Sequence, residues 1–206
     1  MHTTRIHAII PLALLETVRL LDGSVPLGMD TPGDEIASKR LGMNPTVAAQ
    51  IDRYRKLERK GGYTKSIDVV QLFTLVSRRS DSALTFNQAG RRAARRAVGI
   101  LPLPIRALRK VGIGPLGSHM GFAAARGLVA KVFGLEMRDD DGSVVAHGCD
   151  LPSTEGTAGE GCEFYGVALA ELMRRLTDFD GAMLHEACCS RGDQLCRWQL
   201  NLRGQR

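Results

Sequence analysis

The feature that most constrains the fold is a change in the hydrophobic pattern near residue 135. Before this point, apolar residues recur at helical spacing and are interrupted by Gly and Pro. After it, two short apolar runs at 135–138 and 144–147 flank the pair Asp141-Gly142. Asp-Gly between two such runs is the strongest short-range signal for a β-hairpin. The chain therefore changes from a helical region to a region that contains strands.

The C-terminal pattern predicts the fold class. A helix is expected from about Cys162 to Leu176, followed by strands at 182–188 and 196–202 that a Ser-Arg-Gly-Asp turn connects. The order strand, strand, helix, strand, strand is typical of an antiparallel sheet with a helix packed on it. We expect an α+β fold with an antiparallel β-sheet of about four strands flanked by helices.

The N-terminal region is predicted to be helical. Asn44-Pro45 supplies a cap and a first helical position, and this helix stops before Gly61-Gly62. Further helices are expected near residues 66–76, 84–98 and 116–133. The segment ILPLPIRALRK contains two prolines and indicates a boundary, because proline interrupts helices. We therefore divide the chain into a helical region, 1–112, and an α+β domain, 113–206.

Composition limits the class of protein. The chain has 206 residues, of which 44% are apolar and 24% are charged, as expected for a globular protein with one sizeable core. The N-terminal apolar run IHAIIPLALLETVRLL is too short to span a bilayer, and no small-residue cleavage site follows it. We expect a cytoplasmic protein. Its five cysteines would then stay reduced, which favours metal binding or buried thiols over disulfides.

The segment between Asp81 and Glu136 is a basic block. It contains nine Lys or Arg residues and no acidic residue. Four of its arginines project together from one predicted helix: Arg91, Arg92, Arg95 and Arg96. Such a surface could contact nucleic acid, an anionic membrane or an acidic partner. The simpler alternative is a solvated helix face, which the absence of interleaved aromatic residues favours.

Four residues of the last quarter are candidate metal ligands. Cys162 opens the predicted helix, His185 and Cys188 lie three residues apart on one strand, and Cys196 enters the next strand. Three Cys and one His supply the closed tetrahedral donor set of a structural zinc site, in which no position stays open for water. Such a site would stabilise the fold and would not activate water. The alternative is that these are ordinary buried cysteines, which need no metal.

The fourth ligand is ambiguous in the sequence. On a regular strand Glu186 and Cys188 share one face and His185 points to the other. A bulge or the end of the strand would be needed to bring His185 to the face of Cys188. Either His185 or Glu186 is therefore a candidate.

The remaining cysteines and histidines fit other roles. We interpret Cys149 and Cys189 as packing residues. His2 and His7 are expected to be exposed near the terminus, and His119 lines a pocket or makes a hydrogen bond in the core. No nucleophile elbow, phosphate loop, dinucleotide fingerprint or zinc-protease motif is present in the chain. This favours a binding or accessory protein over a self-sufficient enzyme.

The segment from Cys162 to Leu200 resembles the 4-vinyl reductase domain family, a group of hydrocarbon-binding domains. The shared pattern is a Cys that opens a helix, a Gly soon after it, a strand that ends in Cys, a Gly-Asp turn, and a Cys followed by an aromatic residue. In this chain these residues are Cys162, Gly166, Cys188, Gly192, Asp193, Cys196 and Trp198. The resemblance covers about residues 135–202.

This resemblance implies a function and a ligand site. Related sensor domains of aromatic-responsive regulators bind zinc through the equivalent cysteines and an acidic residue, where this chain has His185 beside Glu186. The resemblance implies frequent homodimers and a small hydrophobic or aromatic ligand held between helices and sheet. The pocket candidates are His119, Phe122, Phe133, Phe164 and Tyr165. An alternative function is an accessory role in reducing a vinyl group of a tetrapyrrole, as in bacteriochlorophyll synthesis.

Overall fold

The structure is a computed structural model that describes residues 5–23, 44–103, 105, 114–140, 143–148, 151–152, 159–177, 179 and 181–202. Within these residues, six α-helices and six strands form the framework. The helices are α1 (Ile9–Gly23), α2 (Pro45–Arg59), α3 (Ser66–Ser77), α4 (Ser82–Ile100), α5 (Gly114–Leu128) and α6 (Cys162–Leu176). The strands are β1 (Arg5–His7), β2 (Tyr63–Lys65), β3 (Glu136–Asp140), β4 (Ser143–Gly148), β5 (Gly181–Ala187) and β6 (Cys196–Leu202).

The predicted start of α2 is confirmed by its capping contacts. The side-chain oxygen of Asn44 accepts the backbone N–H of Thr46 at 2.9 Å, and Pro45 occupies the first helical position. The cap satisfies a backbone donor that has no partner within the helix. The local sequence therefore determines where this helix begins.

Helix α1 lies at the centre of the core. Every residue from Ile9 to Val18 is buried, so the first ten residues of this helix are covered on all sides by their neighbours. The apolar run near the N-terminus is thus a core helix. Among the described residues, no helix combines the length and apolar character needed to cross a bilayer.

The main sheet confirms the predicted fold class. Its four strands are all antiparallel and run in the order β3-β4-β6-β5. The register pairs Asp140 with Ser143, which leaves two residues to connect β3 and β4. Asp141 and Gly142 themselves lie outside the described residues. A second sheet of two strands pairs β1 with β2, which the sequence pattern did not predict.

The two parts of the chain share one hydrophobic core. Helices α4 and α6 approach so closely that a side chain at Gly90 would collide with the backbone oxygen of Phe164. Phe73 and Phe86 stack with ring centroids 5.5 Å apart, and Phe73 also contacts Phe164 and Tyr165 of α6. The N-terminal helices therefore pack directly against the helix that covers the main sheet.

Candidate metal centre

Four candidate ligands meet at one end of the main sheet. Cys162 is the first residue of α6, His185 lies in β5, Cys188 follows β5, and Cys196 begins β6. Their donor atoms all lie within 4.8 Å of one another. The structure therefore brings together the four predicted ligands, close enough to bind one metal ion.

A β-bulge explains why His185 shares a face with Cys188. His185 pairs with Trp198 and Ala187 pairs with Arg197, so Glu186 is an extra residue with no partner in the ladder. One extra residue shifts the alternation of side chains by one position. Residues three apart, which would otherwise point to opposite faces, then point to the same face. The bulge that the sequence required for His185 is present.

The distances between the sulfur atoms match a tetrahedral site. The Sγ atom of Cys162 lies 3.8 Å from that of Cys188 and 3.9 Å from that of Cys196. A disulfide needs about 2.05 Å, so these sulfur atoms are too far apart to be bonded to one another. A Zn–S bond of about 2.3 Å in tetrahedral geometry places two sulfurs about 3.8 Å apart. The thiols are therefore spaced as ligands of one ion.

The three cysteines of the cluster are buried, and the pKa of one of them, Cys196, is raised. Cys162, Cys188 and Cys196 are at most 1% exposed. The pKa of Cys196 is raised to about 12, first by the neighbouring thiol of Cys162 and then by burial. Interactions with His185 and with the backbone N–H of Cys189 act in the opposite direction. A metal ion must therefore displace protons from the cluster in order to bind.

The turn between Cys188 and Cys196 positions the ligands. The N–H of Cys189 donates to the Sγ of Cys196 at 3.4 Å, and the N–H of Cys188 donates to the Asp193 carboxylate at 2.6 Å. The N–H of Arg191 closes the turn by donating to the Cys188 carbonyl at 2.8 Å. Hydrogen bonds of this kind orient the ligands of metal sites.

Glu186, the alternative fourth ligand, lies on the other face of β5. Its carboxylate pairs with the Arg197 side chain at 3.4 Å, and its side chain is 41% exposed. The Nε2 atom of His185 is buried and has no hydrogen-bond partner among the described residues. The structure therefore places His185, and not Glu186, among the three cysteines.

The predicted ligand-pocket residues are divided between core and surface. Phe133, Phe164 and Tyr165 are at most 2% exposed, and their ring centroids lie 5.3 to 6.5 Å apart. They therefore contact one another in the aromatic core. Phe122 is half-buried and His119 is exposed. The role of these five residues as a ligand pocket stays a prediction.

A cleft of about 600 Å³ lies beside the metal-ligand cluster. Residues of α4, α6, β5 and β6 line it, and they include Cys162 and His185. Trp198 forms part of its wall and is completely buried. From the sequence, Trp198 was identified only as part of the family pattern. Nothing in the local pattern indicates that its ring borders a cleft.

Most of the arginines that the sequence places together on α4 make ion pairs within the chain. Three of the four arginines of α4 lie 2.6 to 3.6 Å from carboxylate oxygens. The pairs are Arg92 with Glu16, Arg95 with Glu171, and Arg96 with Glu16 and Glu58. Arg91 has no ion pair among the described residues. Contact of this helix with a membrane or nucleic acid stays a prediction.

The expectation that His7 is exposed is wrong. His7 is 1% exposed, because β1 pairs with β2 and the chain then enters the buried helix α1. Its Nδ1 atom accepts the N–H of Ile9 at 3.3 Å. Burial, and the charge of Lys131, lower its pKa to about 4. Cys189 is half-buried beside the metal-ligand cluster, whereas Cys149 and His2 lie outside the described residues.

Comparisons with known proteins identify no relative of this chain. No family model matches it, and neither a curated protein nor a solved structure shows a significant similarity to it. The functional conclusions therefore depend on the residues and geometry described above.

Proposed function

We propose that this chain is a small-molecule-binding protein in which Cys162, His185, Cys188 and Cys196 hold one structural zinc ion. The observation that carries the proposal is the convergence of three buried thiols and one imidazole on a single point. The Sγ–Sγ distances of 3.8 and 3.9 Å support it, because they equal the edge of a zinc–thiolate tetrahedron.

The chemistry of the donors favours zinc. Thiolates are soft ligands, and a tetrahedral set of sulfur and nitrogen donors is typical of zinc, whereas magnesium and calcium prefer oxygen. Four protein ligands complete the coordination shell of zinc and leave no place for a reactive water. The ion would thus stabilise the fold and would not activate water for hydrolysis.

The position of the site indicates what the ion would stabilise. Cys162 begins α6, whereas the other three ligands belong to β5, β6 and the turn between them. An ion at this point would link the start of the helix to the end of the sheet. The cleft that supports the small-molecule role lies between these same elements. The resemblance to hydrocarbon-binding domains and their homodimers agrees with this role.

Metal analysis of the purified chain tests the zinc proposal. We expect one zinc ion per chain, and we expect Cys162→Ser to lose it. Cys189→Ser is the matched control, because Cys189 is a neighbouring cysteine that is not one of the four ligands. Replacement by cobalt should give the absorption bands of a tetrahedral thiolate complex. A wild-type chain that is folded but binds neither ion would contradict the proposal.

A further inference from the structure

We infer that the cleft bordered by α4, α6 and β5 binds a small apolar or aromatic carboxylate. This inference rests on the proposed small-molecule function and names the class of its ligand. The cleft of about 600 Å³ falls within the usual range for small-molecule sites, about 300 to 1,000 Å³.

The first observation is an unsatisfied donor in the wall of the cleft. The Trp198 side chain is 0% exposed, and its indole Nε1 has no hydrogen-bond partner among the described residues. A buried N–H without a partner is costly, and such groups are normally paired. Because Trp198 lines the cleft, an acceptor atom of a ligand in the cleft can supply the missing partner.

The second observation is the glycine next to this donor. A Cβ atom at Gly166 would lie 3.3 Å from both Nε1 and Cδ1 of Trp198. Any side chain at this position would therefore cover the N–H edge of the indole. Gly166 also lines the cleft, so the absence of a side chain leaves space for a ligand beside the donor.

The distribution of charge in the cleft favours a carboxylate as the acceptor. The acidic residues Glu160 and Glu163 lie at the start of α6 and accept hydrogen bonds from Ser82 and Asn87 at 3.2 and 3.3 Å. Arg174 lies near the other end of α6, about 16 Å from Glu163 at 1.5 Å per residue. Glu160 and Glu163, at one end of the cleft, thus already accept hydrogen bonds from side chains of α4.

Arginine side chains supply the positive charge. Arg91 and Arg174 both line the cleft, and neither makes an ion pair with a described residue. Arg174 donates one hydrogen bond to the Gly181 carbonyl at 2.8 Å, which leaves other guanidinium N–H groups free to donate. Guanidinium groups bind carboxylates through paired N–H donors.

Apolar side chains from α6 and β5 also line the cleft. Val167, Ala170, Ala182 and Met183 contribute to the walls. A ligand with one charged end and an apolar body would therefore match both parts of the cleft. An aromatic acid the size of benzoate or phenylacetate is the simplest molecule of this class.

Trp198 is also a specific reporter of the site, because it is the only tryptophan in the chain. The experiment titrates the zinc-loaded full chain with sodium benzoate and sodium phenylacetate while the tryptophan emission is recorded. Benzamide is the neutral comparison. We expect a saturable change with the acids and at least tenfold weaker binding of benzamide.

Two variants locate the binding. Arg91→Gln should weaken acid binding about tenfold, which corresponds to about 1.4 kcal/mol. Arg95→Gln is the matched control on the same helix, since Arg95 pairs with Glu171 and does not line the cleft, and it should bind like the wild type. Gly166→Ala should abolish the response, and a thermal unfolding curve near that of the wild type would show that this variant is folded.

The outcomes separate this inference from the zinc proposal. A chain that contains one zinc ion but shows no saturable response to either acid overturns the inference and leaves the zinc proposal intact. Equal binding of benzamide, or unchanged binding in Arg91→Gln, overturns the assignment of the ligand as a carboxylate held in this cleft. A chain without zinc contradicts the zinc proposal through metal analysis, whatever the titration gives.

Discussion

Two buried polar sites in this molecule are stabilised in different ways. In the N-terminal helices, the Glu16 carboxylate is 7% exposed and is surrounded by the side chains of Arg55, Arg92 and Arg96. At the end of the main sheet, three buried thiols and the imidazole of His185 face one another. Buried charges need compensation. The first site obtains it from arginines of the chain, whereas we propose that at the second site a metal ion compensates the charge that the thiols acquire when they bind it.

The two sites differ in whether their stabilisation requires a molecule from outside the chain. An ion pair within the chain is present whenever the protein is folded. A structural metal site contributes to stability only when the ion is bound, and binding of the ion releases protons from its ligands. Stability should therefore depend on zinc concentration and pH through the cluster, and on pH alone through other buried groups.

The largest expected effect comes from removing one ligand of the metal. At a free zinc concentration 10,000 times the dissociation constant, binding stabilises the folded state by about 5.5 kcal/mol. Cys162→Ser should lose this contribution, which lowers the midpoint of thermal unfolding by roughly 11–22 °C in a chain of this size. Calorimetry with and without a chelator measures it, and Cys189→Ser should respond to the chelator as the wild type does.

The next effect tests the ion pairs of the N-terminal region. Arg79 is buried and lies 2.7 Å from both Asp22 and Asp81. Arg79→Ala leaves the buried Asp22 carboxylate without this partner and should cost about 3–5 kcal/mol. Urea unfolding measures the loss, and the exposed neighbour Arg78 provides the control Arg78→Ala. A loss below about 1 kcal/mol would show that Asp22 is stabilised without Arg79.

A smaller effect is expected from the titration of His7. Its pKa of about 4 in the folded chain is below the unfolded value of 6.5, so the unfolded chain binds more protons between these values. The contribution of neutral His7 to the free energy of unfolding is fully present above pH 6.5. This contribution should fall by roughly 2 kcal/mol between pH 6.5 and 5. His7→Asn keeps an acceptor for Ile9 and should remove this slope. If the stability of the variant depends on pH as steeply as that of the wild type, another group is responsible for the slope.

The smallest expected effect concerns the fourth ligand. Glu186→Gln should leave the zinc content at one ion per chain and change stability by less than about 1 kcal/mol, because Glu186 pairs with Arg197 at the surface. His185→Ala should lower zinc affinity at least tenfold. Competition with a chromogenic chelator compares the two variants. Loss of zinc in Glu186→Gln with retention in His185→Ala would reverse the assignment.

Several features of the fold could be predicted because they depend on neighbouring residues. Capping by Asn44 and the two-residue connection at Asp141-Gly142 follow from short-range chemistry. The strand prediction at 196–202 coincides with β6. Alternation then places Cys196 and Trp198 on one face of this strand. The types of the four candidate ligands were likewise readable, since Cys and His in the last quarter suit a zinc site.

The partners of buried groups could not be read from the sequence. Glu16 and Arg96 are 80 residues apart, and only the packing of α1 against α4 brings their side chains to 2.6 Å. His7 was expected at the surface because its position near the terminus suggests exposure, yet its strand pairs with a segment 56 residues later. The ring contacts of Phe164 with Phe73 and Phe133 likewise join residues that are far apart in the chain.

The sequence by itself determined the α+β class, the approximate positions of the four strands of the main sheet and the residue types of the candidate zinc site. These properties follow from local periodicity and from the preferences of individual side chains. Only the tertiary structure decided that His185 joins the cysteines, because one unpaired residue at Glu186 reverses the direction of the side chains that follow it. The register between two strands depends on both of them and on the core they cover.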